Sequence, residues 1–394
     1  MPNEARAPCP ELNSILARAE QFEATTVLID PTPEGARVRS RVDDVLCDAA
    51  ELNQEQANQV LGNLRAAGGP GQDDRLPFDA LITAQRSTGI ETWAVTAVPG
   101  RHGLRYCLKP YRRPRLVFDL DRLGLDAAQV ALLRGTFDQH RPGVVVLAGP
   151  YWSGKCTTIY SMLRELRDRN LSVATAEWEF RGELPGINQG LVNTEKGLTL
   201  DSWCRTLVRA DADVIYLGAI DECTAAAEEA FKTVLTHWRR VFTVLHCHTA
   251  ISVLPRLMNM WVEPWLAAQG IALVQGQRLL RRLCDRCKVA VMPPQRLLAE
   301  FRLDDLGGGH EFCGPSGCEA CGGTGFRRMV LAAETYVPSE QFRAAVVERA
   351  DLRTLSRLAT ADGMVTMRKR GLLLAARGVT SLEEVLLRTP ADES

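Results

Sequence analysis

One stretch narrows the folds open to this chain more than any other: Val144–Thr158, VVVLAGPYWSGKCTT. Val144–Ala148 is a continuous apolar run with no polar alternation, the pattern of a strand covered on both faces. A Gly-rich turn follows, and then helical spacing from Thr157 to about Arg167. Gly149 and Gly154-Lys155 have the spacing of a phosphate-binding loop. Glycines let successive backbone N–H groups point into one concavity. The helix that follows aims its N-terminal dipole at the same place, and Lys155 adds a mobile positive charge for the terminal phosphates. The candidate nucleotide-binding residues are Gly149, Pro150, Ser153, Gly154, Lys155, Cys156 and Thr157.

Two positions of the loop are unusual. The residue after the lysine supplies a hydroxyl to Mg²⁺ in loops of this kind. Here it is Cys156, and a thiol is a poor ligand for a hard, oxygen-seeking cation. Mg²⁺ binding is therefore in doubt. Trp152 stands where a small residue is usual, and its indole either crowds the loop, which is the expectation, or stacks on a base.

Further strand-like runs at Leu171–Ala176, Asp213–Leu217 and Val241–Leu245 are separated by helical segments at Thr199–Ala210 and Thr224–Thr236. That alternation means a parallel sheet with crossover helices. The preceding part reads as a smaller mixed domain. It has a polar helix from Asn53 to Ala67 and β-like runs at Ala80–Ala84, Thr92–Val98 and Arg105–Leu108, the last two joined by a turn at Gly100–Gly103. The basic, proline-containing KPYRRPR, Lys109–Arg115, reads as a linker. Thr380 and Glu383 predict a capping box before Leu382–Leu387. The expected division is a loose tail over 1–12, an N-terminal α/β domain over 13–110, a linker over 111–121 and a nucleotide-binding domain over 122–394, with an insertion at 284–321 and a helical region at 340–394. With 47 basic and 48 acidic residues the formal net charge is −1, which gives no electrostatic case for a nucleic-acid partner. No run approaches the roughly 20 apolar residues of a membrane span, and the first residues show no signal pattern. A cytoplasmic protein is expected.

Twelve cysteines are many for such a chain, and spacing sorts them. Cys284-x-x-Cys287 and Cys318-x-x-Cys321 form two knuckles 30 residues apart. Two such pairs can place four thiolates tetrahedrally around Zn²⁺. Arg281, Arg282, Arg286 and Lys288 are basic neighbours that favour thiolates. A disulfide pair or an iron–sulfur centre are the alternatives. A reducing cytosol disfavours the first, and nothing in the sequence points to redox chemistry for the second. Cys313 lacks a partner at knuckle spacing.

With these residues in hand, the chain resembles the P-loop, RecA-like ATPases of type II secretion and type IV pilus assembly. The resemblance runs from about residue 40 to the end. Its supports are, in order, GPYWSGKCTTIYSMLREL; LPGINQ at Leu184–Gln189; DADVIYLGAIDE at Asp211–Glu222; VLHCHTA at Val244–Ala250; ALVQGQRLLRRLCDRC at Ala272–Cys287; and GMVTMRKRGLLLAARGVTSLEEVL at Gly363–Leu386. It implies a PAS-like N-terminal domain, a RecA-like motor domain and a structural tetracysteine zinc site. It also implies a cytoplasmic hexamer acting on a pilus-like fibre through an inner-membrane platform protein, with room for one PAS-like domain and no additional docking domain. The catalytic residues carried over by position are Glu177 of the acidic box, Arg205, Asp221, Glu222 and His246 of the family's His box.

The departures point away from turnover. Ala219 stands where the family has the water-polarising glutamate, and a methyl group can neither accept a proton nor orient water. The acidic box reads Glu177-Trp178-Glu179, retaining only its first carboxylate. The arginine positions become Ala94, Lys109, Arg205 and Asp221; a lysine keeps the charge but not the bidentate fork. Losing one transition-state arginine can cost on the order of a thousandfold in rate. The expectation is an ATP-binding protein with hydrolysis lost or strongly impaired, a regulatory or structural partner of the machinery, assembled with itself or with an active homologue. An active motor with substitute carboxylates and a nucleotide-free scaffold are the alternatives.

Overall fold

The computed structural model describes residues 7–69, 73, 75–86, 89–111, 119–137, 142–221, 223–300 and 311–391. The chain divides into two compact units, Met1–Pro114 with Glu319–Gly323, and Arg115–Cys318 with Thr324–Ser394.

The first unit opens on helix α1 (Pro10–Gln21), so ordered structure begins inside the stretch expected to be a loose tail. Strands β1 (Thr26–Thr32), β2 (Gly35–Val42) and β3 (Val45–Asn53) lead to helix α2 (Gln54–Ala67). Asn53 accepts the Gln56 N–H and Gln56 returns the bond to the Asn53 N–H, a reciprocal cap that starts α2 where its sequence predicts. Strands β4 (Phe78–Arg86), β5 (Gly89–Gly100) and β6 (Gly103–Pro110) complete an antiparallel sheet in the order β3-β2-β1-β6-β5-β4. One face carries Val27, Ile29, Val38, Trp93, Val95 and Leu108 against Leu12, Leu16, Val60 and Leu64 of the two helices. Strand β6 runs on through Lys109 and Pro110. Of the expected linker, residues 112–118 lie outside the described residues, and Leu120–Arg122 form a single 3-10 turn.

The second unit contains α3 (Ala127–Gly135), β7 (Gly143–Ala148), α4 (Lys155–Arg167), β8 (Val173–Glu177), β9 (Asn188–Leu191), α5 (Leu200–Arg209), β10 (Val214–Ala219), α6 (Thr224–His237) and β11 (Arg240–Leu245). It continues through α7 (Val253–Asn259), α8 (Pro264–Gly270), β12 (Ile271–Leu283), β13 (Val289–Ala290), α9 (Gln295–Glu300), β14 (Cys313–Gly314) and β15 (Phe326–Tyr336), and closes with α10 (Glu340–Val347), α11 (Leu352–Ala361), α12 (Met367–Ala376) and α13 (Leu382–Arg388). The large sheet has the order β15-β12-β7-β11-β10-β8-β9, parallel throughout except for β15 against β12.

The apolar runs that predicted buried strands feed two cores. Along β7, Val144, Val146 and Ala148 enter one core, while Val145 and Leu147 enter the other. Strand β10 sends Ile215 and Leu217 one way and Val214 and Tyr216 the other. A period of two with both faces apolar is what a sheet covered by helices on both sides requires. Each fully buried valine or leucine contributes on the order of 2 kcal/mol.

At the C-terminal end the cap is one residue later than the sequence predicts. Ser381, not Thr380, accepts the N–H of Glu384 and starts α13. Thr380 instead donates its hydroxyl to the Arg281 carbonyl at 2.8 Å. The Glu384 carboxylate is buried against Arg281 at 2.5 Å.

Three surface tryptophans occupy left-handed backbone positions, Trp152 and two more. Trp238 has φ 55° as it ends α6, and Trp261 has φ 62°. They are 68% and 85% exposed, so little packing offsets the strain. A left-handed L-residue costs about 1–2 kcal/mol, and glycine relieves most of it. Trp238→Gly should therefore raise the midpoint of urea unfolding by the equivalent of about 1 kcal/mol. An unchanged or lower midpoint would show that the indole makes compensating contacts.

Candidate functional site

The site lies at the carboxyl edge of the parallel strands. Gly149 follows β7 and bonds to Leu245 of β11, its N–H reaching that carbonyl at 3.2 Å. A Cβ on Gly149 would lie 2.3 Å from Ser153 Oγ and 2.7 Å from the Gln277 carbonyl, so only glycine fits. Gly154 has φ 86° and ends the loop as the N-cap of α4. Lys155 is 5% exposed. Its Nζ donates to the carbonyls of Gly149 at 2.7 Å and Pro150 at 2.6 Å, with Ser153 Oγ at 3.5 Å. Burial lowers the Lys155 ammonium to about 8. Trp152 does not fill the loop. It has φ 66° and its side chain is 68% exposed, which corrects the expectation that it crowds the phosphate concavity.

A polar chain missed by the sequence reading ties the loop to the sheet. Gln277 on β12 donates to the Ser153 carbonyl at 2.8 Å and accepts from Gln275 at 3.0 Å and from Thr158 at 3.3 Å. The Thr335 hydroxyl donates to Gln275 at 2.9 Å, and Gln129 of α3 donates to Thr335 at 3.2 Å. All are buried. The signal was two glutamines at i, i+2 in the otherwise apolar ALVQGQRLL, since a buried polar pair needs partners. Arg278 adds a second partly buried cation whose charge is felt at Lys155.

Cys156 is the second residue of α4, and burial pushes its thiol up, with a hydrogen bond to Tyr216. It stays a neutral thiol and offers no hard ligand. Thr157 is half-buried on the next helical position, its carbonyl accepting from Ser161 at 2.8 Å. Glu177, at the end of β8, is also buried. Its carboxylate accepts from Thr175 at 2.7 Å, from Gln189 at 3.2 Å and from the Tyr160 phenol. Burial, then the Glu177 charge, pushes that phenol far up.

The next two altered positions meet across the strand ends. Leu217 of β10 pairs with Ala176 of β8, which sets Ala219 near Trp178. The Trp178 indole donates to the Ala219 carbonyl at 2.8 Å, and a Cβ on Gly218 would lie 3.3 Å from its ring. The half-exposed indole is thus tied to the backbone at the end of β10.

Asp221 and His246 also come together. Asp221 accepts the His246 backbone N–H at 2.7 Å, and its other oxygen is 2.5 Å from His246 Nδ1. Tyr151 of the phosphate loop stacks on the imidazole, with ring centroids 4.0 Å apart. Arg256 holds the Asp221 carbonyl at 3.0 Å.

The four cysteines of the two knuckles form a separate cluster. The sulfurs of Cys284, Cys287, Cys318 and Cys321 all lie within 4.8 Å of one another, with Cys284 and Cys318 at 3.9 Å. Four thiolates about 2.3 Å from one zinc ion would stand about 3.8 Å apart, whereas a disulfide needs about 2.05 Å. The Gly317 N–H donates to Cys287 Sγ at 3.3 Å. The donor set and spacing fit zinc. None of the twelve cysteines, all of them among the described residues, is bridged. Cys313 is outside the cluster, bonded to the Glu311 carbonyl.

Comparison with known proteins agrees with this architecture. The family described as type II/IV secretion system protein matches residues 4–387. The chain belongs to the type II/IV secretion system protein family. The type IV pilus assembly ATPase PilB of Thermus thermophilus is 29% identical over 387 residues, covering 96% of this chain and 42% of that protein. PilB of Myxococcus xanthus is 31% identical, covering 97% of this chain and 68% of the relative. The chain thus spans less than half the length of the Thermus relative. Among solved structures, the Legionella pneumophila ATPase DotB superposes with a TM-score of 0.70 at 18% identity, covering 98% of this chain and 97% of that one, and shares the fold.

Positions carried over from the family fall in different places. Arg205 is an exposed residue of α5, paired with Asp201 at 2.6 Å and Glu229 at 3.2 Å, and these pairs hold it on the α5–α6 surface. Ala94 and Lys109 are direct partners across β5 and β6. Glu222 lies outside the described residues. Among the described residues, no helix is long and apolar enough to cross a membrane.

Proposed function

We propose that this secretion-family chain binds ATP at Gly149–Thr157 and turns it over slowly or not at all. On this reading it serves as a regulatory or structural partner in a type II secretion or type IV pilus apparatus. The observation that carries the reading is the contrast between neighbouring strand ends. A glycine-shaped phosphate loop with a buried lysine follows β7, while β10 ends at Ala219, whose carbonyl holds the Trp178 indole. The neutral Cys156 thiol adds to it, because any Mg²⁺ would have to be held by nucleotide oxygens and water. The exposure of Trp152 takes support from a nucleotide-free scaffold. The proposed assembly is a cytoplasmic hexamer, formed alone or with an active homologue, that meets an inner-membrane platform protein. A structural Zn²⁺ on Cys284, Cys287, Cys318 and Cys321 completes the fold, and nucleic acid is not a partner.

ATP binding and phosphate release measured on one zinc-loaded preparation test the reading. Expected are saturable binding and a release rate at least about a thousandfold below that of an active homologue. Absence of ATP binding, or a comparable rate, sinks it. Because the indole occupies the strand end, Ala219→Glu alone should leave the rate unchanged. Trp178→Asp combined with Ala219→Glu should raise it about a hundredfold, the scale of a positioned general base. A single Ala219→Glu change that restored turnover would show that Trp178 is no obstacle.

A further inference from the structure

We propose that His246, oriented by Asp221, is the group that activates water in this chain, so that the slow turnover left to it runs through a His–Asp dyad and not through the β10 strand end. The inference rests on nucleotide binding at the phosphate loop as proposed above.

Position comes from the sheet. Leu245 of β11 pairs with Ala148 of β7, so His246 and Gly149 leave adjacent strands at the same edge. Ligands of open α/β sheets gather at that edge. Asp221 follows β10, the strand on the other side of β11. Its charge is felt at Lys155, which places the dyad within electrostatic reach of the lysine that would hold the phosphates.

Orientation comes from three contacts. One Asp221 oxygen takes the main-chain N–H of His246, which fixes the carboxylate, and the other faces Nδ1, a contact the ring loses if it turns. Tyr151 fixes the ring plane from the loop side. With Nδ1–H donated to the carboxylate, the proton-accepting lone pair belongs to Nε2, which makes no hydrogen bond among the described residues. A carboxylate holding Nδ1–H selects the tautomer and stabilises the imidazolium that forms when Nε2 takes a proton. Ala219 offers no such atom, and the two oxygens of Glu177 are already taken by Thr175, Gln189 and Tyr160.

The step balances without a further reactant. A water oxygen forms a bond to the γ-phosphorus as the bond to the β–γ bridging oxygen breaks. The diphosphate leaves with that electron pair. The water proton passes to His246 Nε2 and from there to solvent. Because phosphoryl transfer asks more for positioning and charge than for a strong base, the missing arginines keep the rate low even with the dyad in place.

His246→Gln and Asp221→Asn, with ATP dissociation constants and single-turnover phosphate release measured on each, test the proposal. The wild type should release phosphate slowly. Both variants should lose about a hundredfold or more of that rate while binding ATP within about threefold of wild type. Retained binding reports a folded site, and the split between rate and affinity separates orientation of the imidazole from general loosening. Asp221→Glu should recover part of the rate. Unchanged release in His246→Gln, or no release from a wild type that binds ATP, overturns the dyad and leaves the binding reading standing. A wild type that binds no ATP overturns both.

Discussion

Lys155→Ala should abolish nucleotide binding, weakening ATP affinity at least about a hundredfold. The lysine bonds to the loop itself, through two carbonyls. A phosphate would compete for the same ammonium, and each charge-assisted bond is worth about 1.5–3 kcal/mol. Calorimetric titration of the zinc-loaded protein checks this, with the thermal midpoint of the variant confirming its fold. Unchanged affinity would remove the loop as the site.

The same residue sets a pH dependence. Its amine sits at about 8, below the 10.5 of an ordinary lysine, because burial disfavours the charged form. Below pH 8 the free loop carries the charge. As pH rises through 8 the free loop loses it, while bound phosphate holds the proton in place. ATP affinity should therefore fall by up to about tenfold per pH unit above 8, and Lys155→Arg should flatten that slope. Folding stability runs the other way. Between pH 8 and 10.5 the unfolded chain binds more protons at this position, so this group's contribution to stability rises with pH.

Removal of zinc is expected to have the largest effect on stability. Structural zinc sites in small peptides are worth about 10–16 kcal/mol, and among the described residues around the knuckles Leu283, Cys313 and Phe326 form only a small separate cluster. Purified protein should contain one zinc per chain. Chelation, or Cys284→Ser, should lower the melting temperature by many degrees and expose the 284–321 segment to protease. Cys313→Ser should leave the zinc content unchanged. Full stability in a metal-free preparation would show that the four thiols need no ion.

The apolar runs at Val144–Ala148 and Asp213–Leu217 were legible as strands because burial on both faces writes itself as uninterrupted hydrophobicity. The loop was legible because its glycines answer to backbone geometry that no other residue satisfies. Cysteine spacing likewise foretold the four-sulfur cluster. The contacts that decide chemistry were not legible. Asp221 lies 25 residues from His246, and Trp178 lies 41 from Ala219, so each pairing exists only once β8, β10 and β11 align. Trp152 was misplaced for a related reason. Its residue type says that it is bulky, but only the left-handed backbone at φ 66° says which way the bulk projects. The cap of α13 slipped from Thr380 to Ser381 because Thr380 found a tertiary partner in Arg281, a competition that local pattern does not contain.

The hydrogen-bonded chain from Ser153 through Gln277, Gln275 and Thr335 to Gln129 bears on how a ligand meets the loop. It braces the loop against three separately anchored elements, β12, β15 and α3. A nucleotide would enter a mould already set, giving up little of its affinity to ordering the chain. That rigidity persists whether or not a phosphoryl group is ever cleaved. On the proposed reading, a protein that holds a nucleotide, and with it a fixed subunit shape, depends on this brace and not on a carboxylate at position 219.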